Sequence, residues 1–308
     1  MGRLSKFATI VVLAFGLTFW WLSRPGPGVL PEALTTIQGE AERGETTFHI
    51  GGCVSCHAQP ESERIAPVGE KAVLSGGRRL ETPFGTFVAP NISPHPEKGI
   101  GRWTTAEFAS AMLRGVAPDG RHYYPAFPYA SYARMTLQDV VDLKAYLDTL
   151  PSHARDNEPH RLPPVFSIRR GLGLWKRLYL DDAPVVALDN PDPTLLRGRY
   201  LVEGPGHCAE CHTPRNIFGG LDKTRWLAGA VSQDGDGSTP NITPHSTGIA
   251  EWDTADIAEY LSSGFTPEYD VVGSSMAEVV DNTAHLSDED RTAIAHYLQI
   301  VPAAEKSK

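Results

Sequence analysis

From Phe7 to Leu22 the chain carries no charged residue. Sixteen residues at 1.5 Å rise cover roughly 24 Å, slightly short of a ~30 Å hydrocarbon core. Trp20 and Trp21 stand at the far end of the run, where indoles favour the lipid–water interface. The pattern predicts a helical membrane anchor within residues 1–30. A cleaved signal peptide is the rival reading, although no small-x-small cleavage pattern follows in Leu22-Ser23-Arg24-Pro25-Gly26-Pro27. Arg3 and Lys6 before the span and Arg24 after it place the amino end inside, so the rest of the chain is exported. Further on, the apolar period shortens to that of amphipathic helices with legible ends. Thr104-Thr105-Ala106-Glu107 reads as a capping box, followed by Phe108 and Met112 at helical spacing and by Gly115 as a stop. A second helix runs from Thr136 to Pro151, with Val140, Leu143, Ala145, Tyr146 and Leu147 as its apolar residues. Near the carboxyl end, helices are expected from Asp253 to Gly264 and from Ser287 to Pro302, the latter with Ile294, Tyr297 and Leu298 facing inward.

These elements come in pairs because the chain repeats itself. Pro90-Asn91-Ile92-Ser93-Pro94-His95 returns as Pro240-Asn241-Ile242-Thr243-Pro244-His245, and Gly99-Ile100 with Trp103 as Gly248-Ile249 with Trp252. The expected fold class is therefore all-α, with two tandem domains over residues 31–155 and 194–308. Residues 156–193 join them and contain six prolines together with Phe166, Arg169, Arg170, Trp175, Lys176, Arg177 and Tyr179. A clamp packing across both domains is the favoured reading of that patch over a docking surface.

The 308 residues are enough for about two domains, and 41% are apolar, so cores can be buried. A net charge of −9 argues against a nucleic-acid partner. The four cysteines change the picture more. They form Cys53-Val54-Ser55-Cys56-His57 and Cys208-Ala209-Glu210-Cys211-His212, and each pattern reads as a covalent attachment site for a c-type haem. On a short helix, cysteines at i and i+3 lie on one side with the histidine at i+4, so one segment offers two thiols to the porphyrin vinyls and an imidazole to iron. A zinc site would gather its four ligands in one place, whereas here each pair belongs to its own repeat. Two covalently bound haem c groups follow, with His57 and His212 as iron ligands.

A sixth ligand completes each iron, and methionine or histidine is the usual partner. For the second haem, Met276 in Gly273-Ser274-Ser275-Met276 is the first candidate, expected in a loop, with His285 as rival. The first half departs from the repeat. Phe127 stands where the second half has Met276, and phenylalanine cannot bind iron. Met135, just before the closing helix, is then the first candidate. His122, Met112 and an open iron are the alternatives. Asn91 and Asn241 either approach a haem edge or shape a turn, Trp103 and Trp252 read first as core, and Arg78, Arg79 and Arg215 could reach propionates.

Arg197 to Cys208, reading Arg-Gly-Arg-Tyr-Leu-Val-Glu-Gly-Pro-Gly-His-Cys and running into Cys211-His212-Thr213-Pro214-Arg215-Asn216, resembles the cytochrome c subunits of periplasmic membrane-bound dehydrogenases that serve alcohol, gluconate, sorbitol and fructose oxidation. The resemblance extends to Thr82-Pro83-Phe84-Gly85-Thr86 and to the connection around Trp175. It implies helical domains of the mitochondrial cytochrome c type. It also implies electron transfer from a periplasmic dehydrogenase towards a cytochrome, a quinone or an oxidase at the bacterial inner membrane, without catalysis by the chain itself. Relatives with phenylalanine at the position of Phe127 carry a following methionine, which supports Met135. Members of the family commonly have three haem motifs and this chain has two. The alternative function is a dihaem peroxidase or sulfur-compound oxidase with an open first haem, favoured only by Phe127.

Overall fold

The computed structural model describes residues 3–59, 71–232 and 237–305, so parts of the expected anchor and of both expected domains lie outside the described residues. A helix α1 covers Arg3–Leu22, and its stretch Ser5–Leu22 is long and apolar enough to cross a membrane. Among the described residues, twelve α-helices carry the fold, with two short hairpins. In the first half these are α2 (Ala41–Ile50), α3 (Cys53–His57), α4 (Thr105–Arg114), α5 (Tyr129–Tyr132) and α6 (Leu137–Leu147). The connection contributes α7 (Leu172–Tyr179). The second half has α8 (Pro193–Glu203), α9 (Ala209–His212), α10 (Thr254–Ser263), α11 (Ser275–Thr283) and α12 (Asp288–Ile300).

The helix ends obey the local chemistry expected of them. Thr104 and Glu107 form a complete capping box, Asp253 and Asp256 form its counterpart, and Thr136 and Ser287 each accept from the backbone N–H three residues on. Gly115 and Gly264 end α4 and α10 at φ of 59° and 77°, the left-handed conformation that glycine enters without a Cβ penalty.

Two apolar cores result. One gathers Phe48, Leu74, Phe108, Met112, Met135, Val140, Leu143 and Leu147, and the other Leu201, Val202, Leu227, Ile257, Ile294, Tyr297 and Leu298. Ala145 and Tyr146 of α6 are only half-buried, whereas Asp142 on the same helix is fully buried. Its carboxylate accepts from Glu40 N at 2.7 Å and from Arg43 at 2.8 Å, fastening the entry of α2 to α6. Each half is organised by a crossing of its first and last helices, α2 over α6 and α8 over α12. Glycine permits both approaches: a Cβ on Gly44 would stand 2.0 Å from the Asp142 carbonyl oxygen, and one on Gly198 1.9 Å from that of Ala293.

The structure is mostly helical, with two short hairpins that the sequence reading does not include. Arg79–Thr82 (β1) pairs antiparallel with Gly85–Val88 (β2), and Ala230–Val231 (β3) with Ser238–Thr239 (β4). Thr82-Pro83-Phe84-Gly85 makes the first turn, with Gly85 at φ 119°. Such two- to four-residue strands leave too short an alternation to be read from the sequence.

The proline-rich connection touches both halves. Arg169 donates to the His122 carbonyl at 2.9 Å, and Lys176 Nζ caps α4 by donating to the carbonyls of Arg114 and Gly115 at 2.7 and 2.6 Å. Burial lowers the Lys176 pKa to about 7. On the other side Trp175 Nε1 donates to the Phe218 carbonyl at 2.9 Å, and the N–H groups of Val185 and Val186 donate to the buried Glu203 carboxylate.

Two matched cysteine–histidine sites

The first site grows from α3. Its five residues place Cys53, Cys56 and His57 on one turn, and Gly52 at φ 55° lets the chain reverse into it from α2. The second is built in the same way on α9, with Cys208 at helical φ and ψ as its cap. Before a haem is attached, burial raises the thiols of Cys53, Cys56 and Cys208, the first and last to about 12.

The imidazoles are held identically. His57 Nδ1 lies 2.8 Å from the Pro90 carbonyl oxygen and His212 Nδ1 lies 2.8 Å from that of Pro240. A carbonyl only accepts, so Nδ1 carries the proton in each ring and the Nε2 lone pair is left for a metal. Burial lowers both histidine pKa values, which keeps the rings neutral as a ligand must be. This donor set fits a haem iron at each motif. The sequence marks the Pro-Asn-Ile block as a repeat without revealing that its proline carbonyl orients the histidine; its recurrence after both motifs is the available signal.

Asn91 and Asn241 shape that block and tie it down. Asn91 Oδ1 accepts from Ser93 N at 2.9 Å while its Nδ2 donates to the carbonyl of His153 at 2.8 Å. Asn241 repeats the pattern with Thr243 N at 2.8 Å and the Ala304 carbonyl at 2.7 Å. Both are turn-formers that staple the block to the segment after the closing helix. The Asn241→Leu variant leaves the buried Thr243 N–H unpaired and removes the bond to the Ala304 carbonyl, and is expected to cost about 2 kcal/mol. Denaturant unfolding of the holoprotein followed at the second haem checks this, with a shifted midpoint and unchanged slope as the expected result.

The methionines sit differently. Met135 is 6% exposed in the first core, and with Met112, Cys53, Tyr132 and Leu143 it lines one small pocket beside α3. Met276 is not in a loop, as its sequence suggests; it is the second residue of α11, half-buried against the second core. Its loop-like sequence is explained by Ser274 at φ 56°, which turns the chain sharply into that helix. The rival histidines have other partners. His122 Nε2 donates to the Ser23 carbonyl at 2.9 Å, and the His285 ring stacks on His49 with centroids 4.0 Å apart. Phe127 packs among Tyr123, Tyr129 and Tyr132. Trp103 and Trp252 are partly buried against the two cores. Arg78, Arg79 and Arg215, considered for propionates, pair with Glu278, Glu158 and Glu210 respectively.

The two sites are neighbours. His207, one residue before Cys208, donates from Nε2 to the Gly51 carbonyl at 3.2 Å, two residues before Cys53. Ser55, between the first two cysteines, accepts at Oγ from Asn282 of α11 at 3.0 Å and at its carbonyl from Arg78 at 2.6 Å. Arg78 in turn pairs with Glu278 of α11 at 2.5 Å. Sequence reading misses His207, Gly51 and Asn282 in these roles, because no spacing rule links positions so far apart.

The cytochrome c family profile matches residues 41–151. A dihaem c-type cytochrome of Cereibacter sphaeroides is 54% identical over 99% of this chain and all of its own length. The fructose dehydrogenase cytochrome subunit of Gluconobacter japonicus is 36% identical over 90% of this chain, which spans 56% of it. The cytochrome c subunit of the quinone alcohol dehydrogenase of Gluconobacter oxydans is 33% identical over 87% of this chain, again 56% of the relative. The paired cysteine–histidine motifs, the matched imidazole geometry and these similarities agree: the chain belongs to the dihaem c-type cytochromes, carries two covalently bound haem c groups, and is a homologue of dehydrogenase cytochrome subunits.

Proposed function

We propose that this protein is a membrane-anchored electron carrier of the periplasm, made of two tandem cytochrome c domains over residues 31–155 and 194–308. In this reading α1 anchors the chain in the inner membrane, Cys53 and Cys56 tether one haem, and Cys208 and Cys211 the other. His57 and Met135 hold the first iron, and His212 and Met276 the second. Each bound haem supplies an iron that gains and loses one electron. The chain keeps both groups rigid in apolar surroundings, so little reorganisation accompanies transfer.

The observation that carries this reading is the adjacency of the two sites, joined by the His207–Gly51 and Asn282–Ser55 hydrogen bonds. Two haems attached there would be close enough to share electrons. The likeness to cytochrome subunits of fructose and alcohol dehydrogenases supports a periplasmic dehydrogenase as donor, with a cytochrome, quinone or oxidase as acceptor. Near-infrared magnetic circular dichroism of the oxidised holoprotein tests it. Two methionine-ligated low-spin haems and no peroxide turnover are expected. One high-spin haem that consumes peroxide would overturn it in favour of a dihaem enzyme.

A further inference from the structure

The far end of α1 is fastened to the rest of the protein. A helix leaves its last carbonyls without partners, and α1 has no basic residue in its last turn to satisfy them. Three side chains from elsewhere do so. Arg170 donates to the Trp20 carbonyl at 2.6 Å, Arg177 to that of Leu22 at 2.7 Å, and His122 to that of Ser23 at 2.9 Å. The guanidinium groups of Arg170 and Arg177 also lie over the rings of Trp20 and Trp21, 5.1 and 5.6 Å from their centroids. The backbone of α7 touches the helix end directly, since a Cβ on Gly173 would meet the Ser23 carbonyl oxygen at 2.2 Å.

Around this junction lie large apolar side chains that the protein does not cover. Val165 and Ile168 are 67% and 63% exposed and flank the stretch that leads to Arg169 and Arg170. Leu178, next to Arg177, is 73% exposed. The second half joins the same face: Trp175 holds the Phe218 carbonyl, and Ile217 and Phe218 are 86% and 65% exposed. Phe166 packs edge-on against Phe84, whose ring in turn approaches Gly219.

We propose that this face, Val165, Ile168, Leu178, Ile217 and Phe218 with Arg170 and Arg177 behind them, rests on the lipid bilayer and sets both haem-bearing halves in one orientation against it. The inference rests on the anchor reading of α1. If α1 spans the bilayer, its end lies at the interface, and residues bonded to Trp20, Leu22 and Ser23 lie at headgroup depth with it. Exposed apolar side chains with arginines behind them at that depth match an interfacial surface, and anionic headgroups complement arginines on a chain whose net charge is −9. The protein is then a body seated on the membrane, not one swinging from a tether.

Nitroxide labels on introduced cysteines test the proposal in the full-length holoprotein, whose native cysteines the haems occupy. Phe15→Cys, Leu178→Cys, Ile217→Cys and, as a control at an exposed position of α12, Glu289→Cys are each placed in vesicles of phosphatidylethanolamine and phosphatidylglycerol. Collision with oxygen against collision with an aqueous nickel chelate reports depth by electron paramagnetic resonance. Loss of nickel collision at 178 and 217, as at 15 but not at 289, is the expected result. Labels at 178 and 217 that behave like 289 while 15 stays lipid-exposed overturn the seated surface and leave the anchor intact. A label at 15 in water defeats the anchor reading itself.

Discussion

Met276→Ala is expected to abolish the near-infrared thioether–iron transition of one haem and leave the other untouched. Met135→Ala is expected to do the same for the other haem, and Met112→Ala to disturb neither. Thioether ligation raises a haem potential, and axial ligands span about 0.8 V in all, so each loss should lower one midpoint by the order of 0.2 V. Spectroelectrochemical titration of the three variants reads this directly. The critical comparison is between Met135 and Met112, because both are 6% exposed and both line the pocket beside Cys53. Met112 sits inside α4, capped at both ends, whereas Met135 precedes α6 outside any helix. A loss of the signal in Met112→Ala with retention in Met135→Ala would reverse the assignment.

The second large effect is mechanical. In Gly198→Val the new Cβ would be forced to 1.9 Å from the Ala293 carbonyl oxygen, a backbone atom that cannot swing aside. The α8–α12 crossing must open, and with it the core that holds Leu201, Val202, Ile294 and Tyr297. We expect a destabilisation of about 3 kcal/mol, the upper end of what overpacking costs. Gly171→Ala is the matched control, since nothing lies within 4 Å of a Cβ there. Guanidinium unfolding monitored by far-ultraviolet circular dichroism and by the haem absorbance compares the two. Equal midpoints would mean that the crossing is looser than its geometry states. Gly44→Val probes the equivalent crossing of the first half, where the obstruction is the Asp142 carbonyl at 2.0 Å.

Much of this architecture is legible in the order of residues. Capping residues and stop glycines place α4, α6, α10 and α12, because a cap is a bond between groups three residues apart. The repeat of Pro90-Asn91-Ile92 at Pro240-Asn241-Ile242 announces two similar halves. The two Cys-x-x-Cys-His motifs name the cofactor, since tethers and ligand occupy a single helical turn. Met276 reads as a loop residue because Gly273-Ser274-Ser275 carries turn composition, while the helix that holds it draws its stability from the second core. The hairpins are invisible at two to four residues per strand.

What the sequence alone determined is therefore what neighbours along the chain decide: helix ends, attachment chemistry, the charge-free run from Phe7 to Leu22 and the duplication. Tertiary structure decided the rest. Only folding brings the Pro90 carbonyl, 33 residues on, to His57, and so selects the tautomer that leaves Nε2 free. Only folding sets Asn282 against Ser55 across 227 residues and turns two separate attachment sites into neighbours. Only folding finds partners for the open carbonyls at the end of α1 in Arg170 and Arg177, 150 and 155 residues away from the groups they hold. A local pattern can state that a group needs a partner. Which distant group supplies it depends on how the helices pack, and that is settled by shape and burial across the whole molecule.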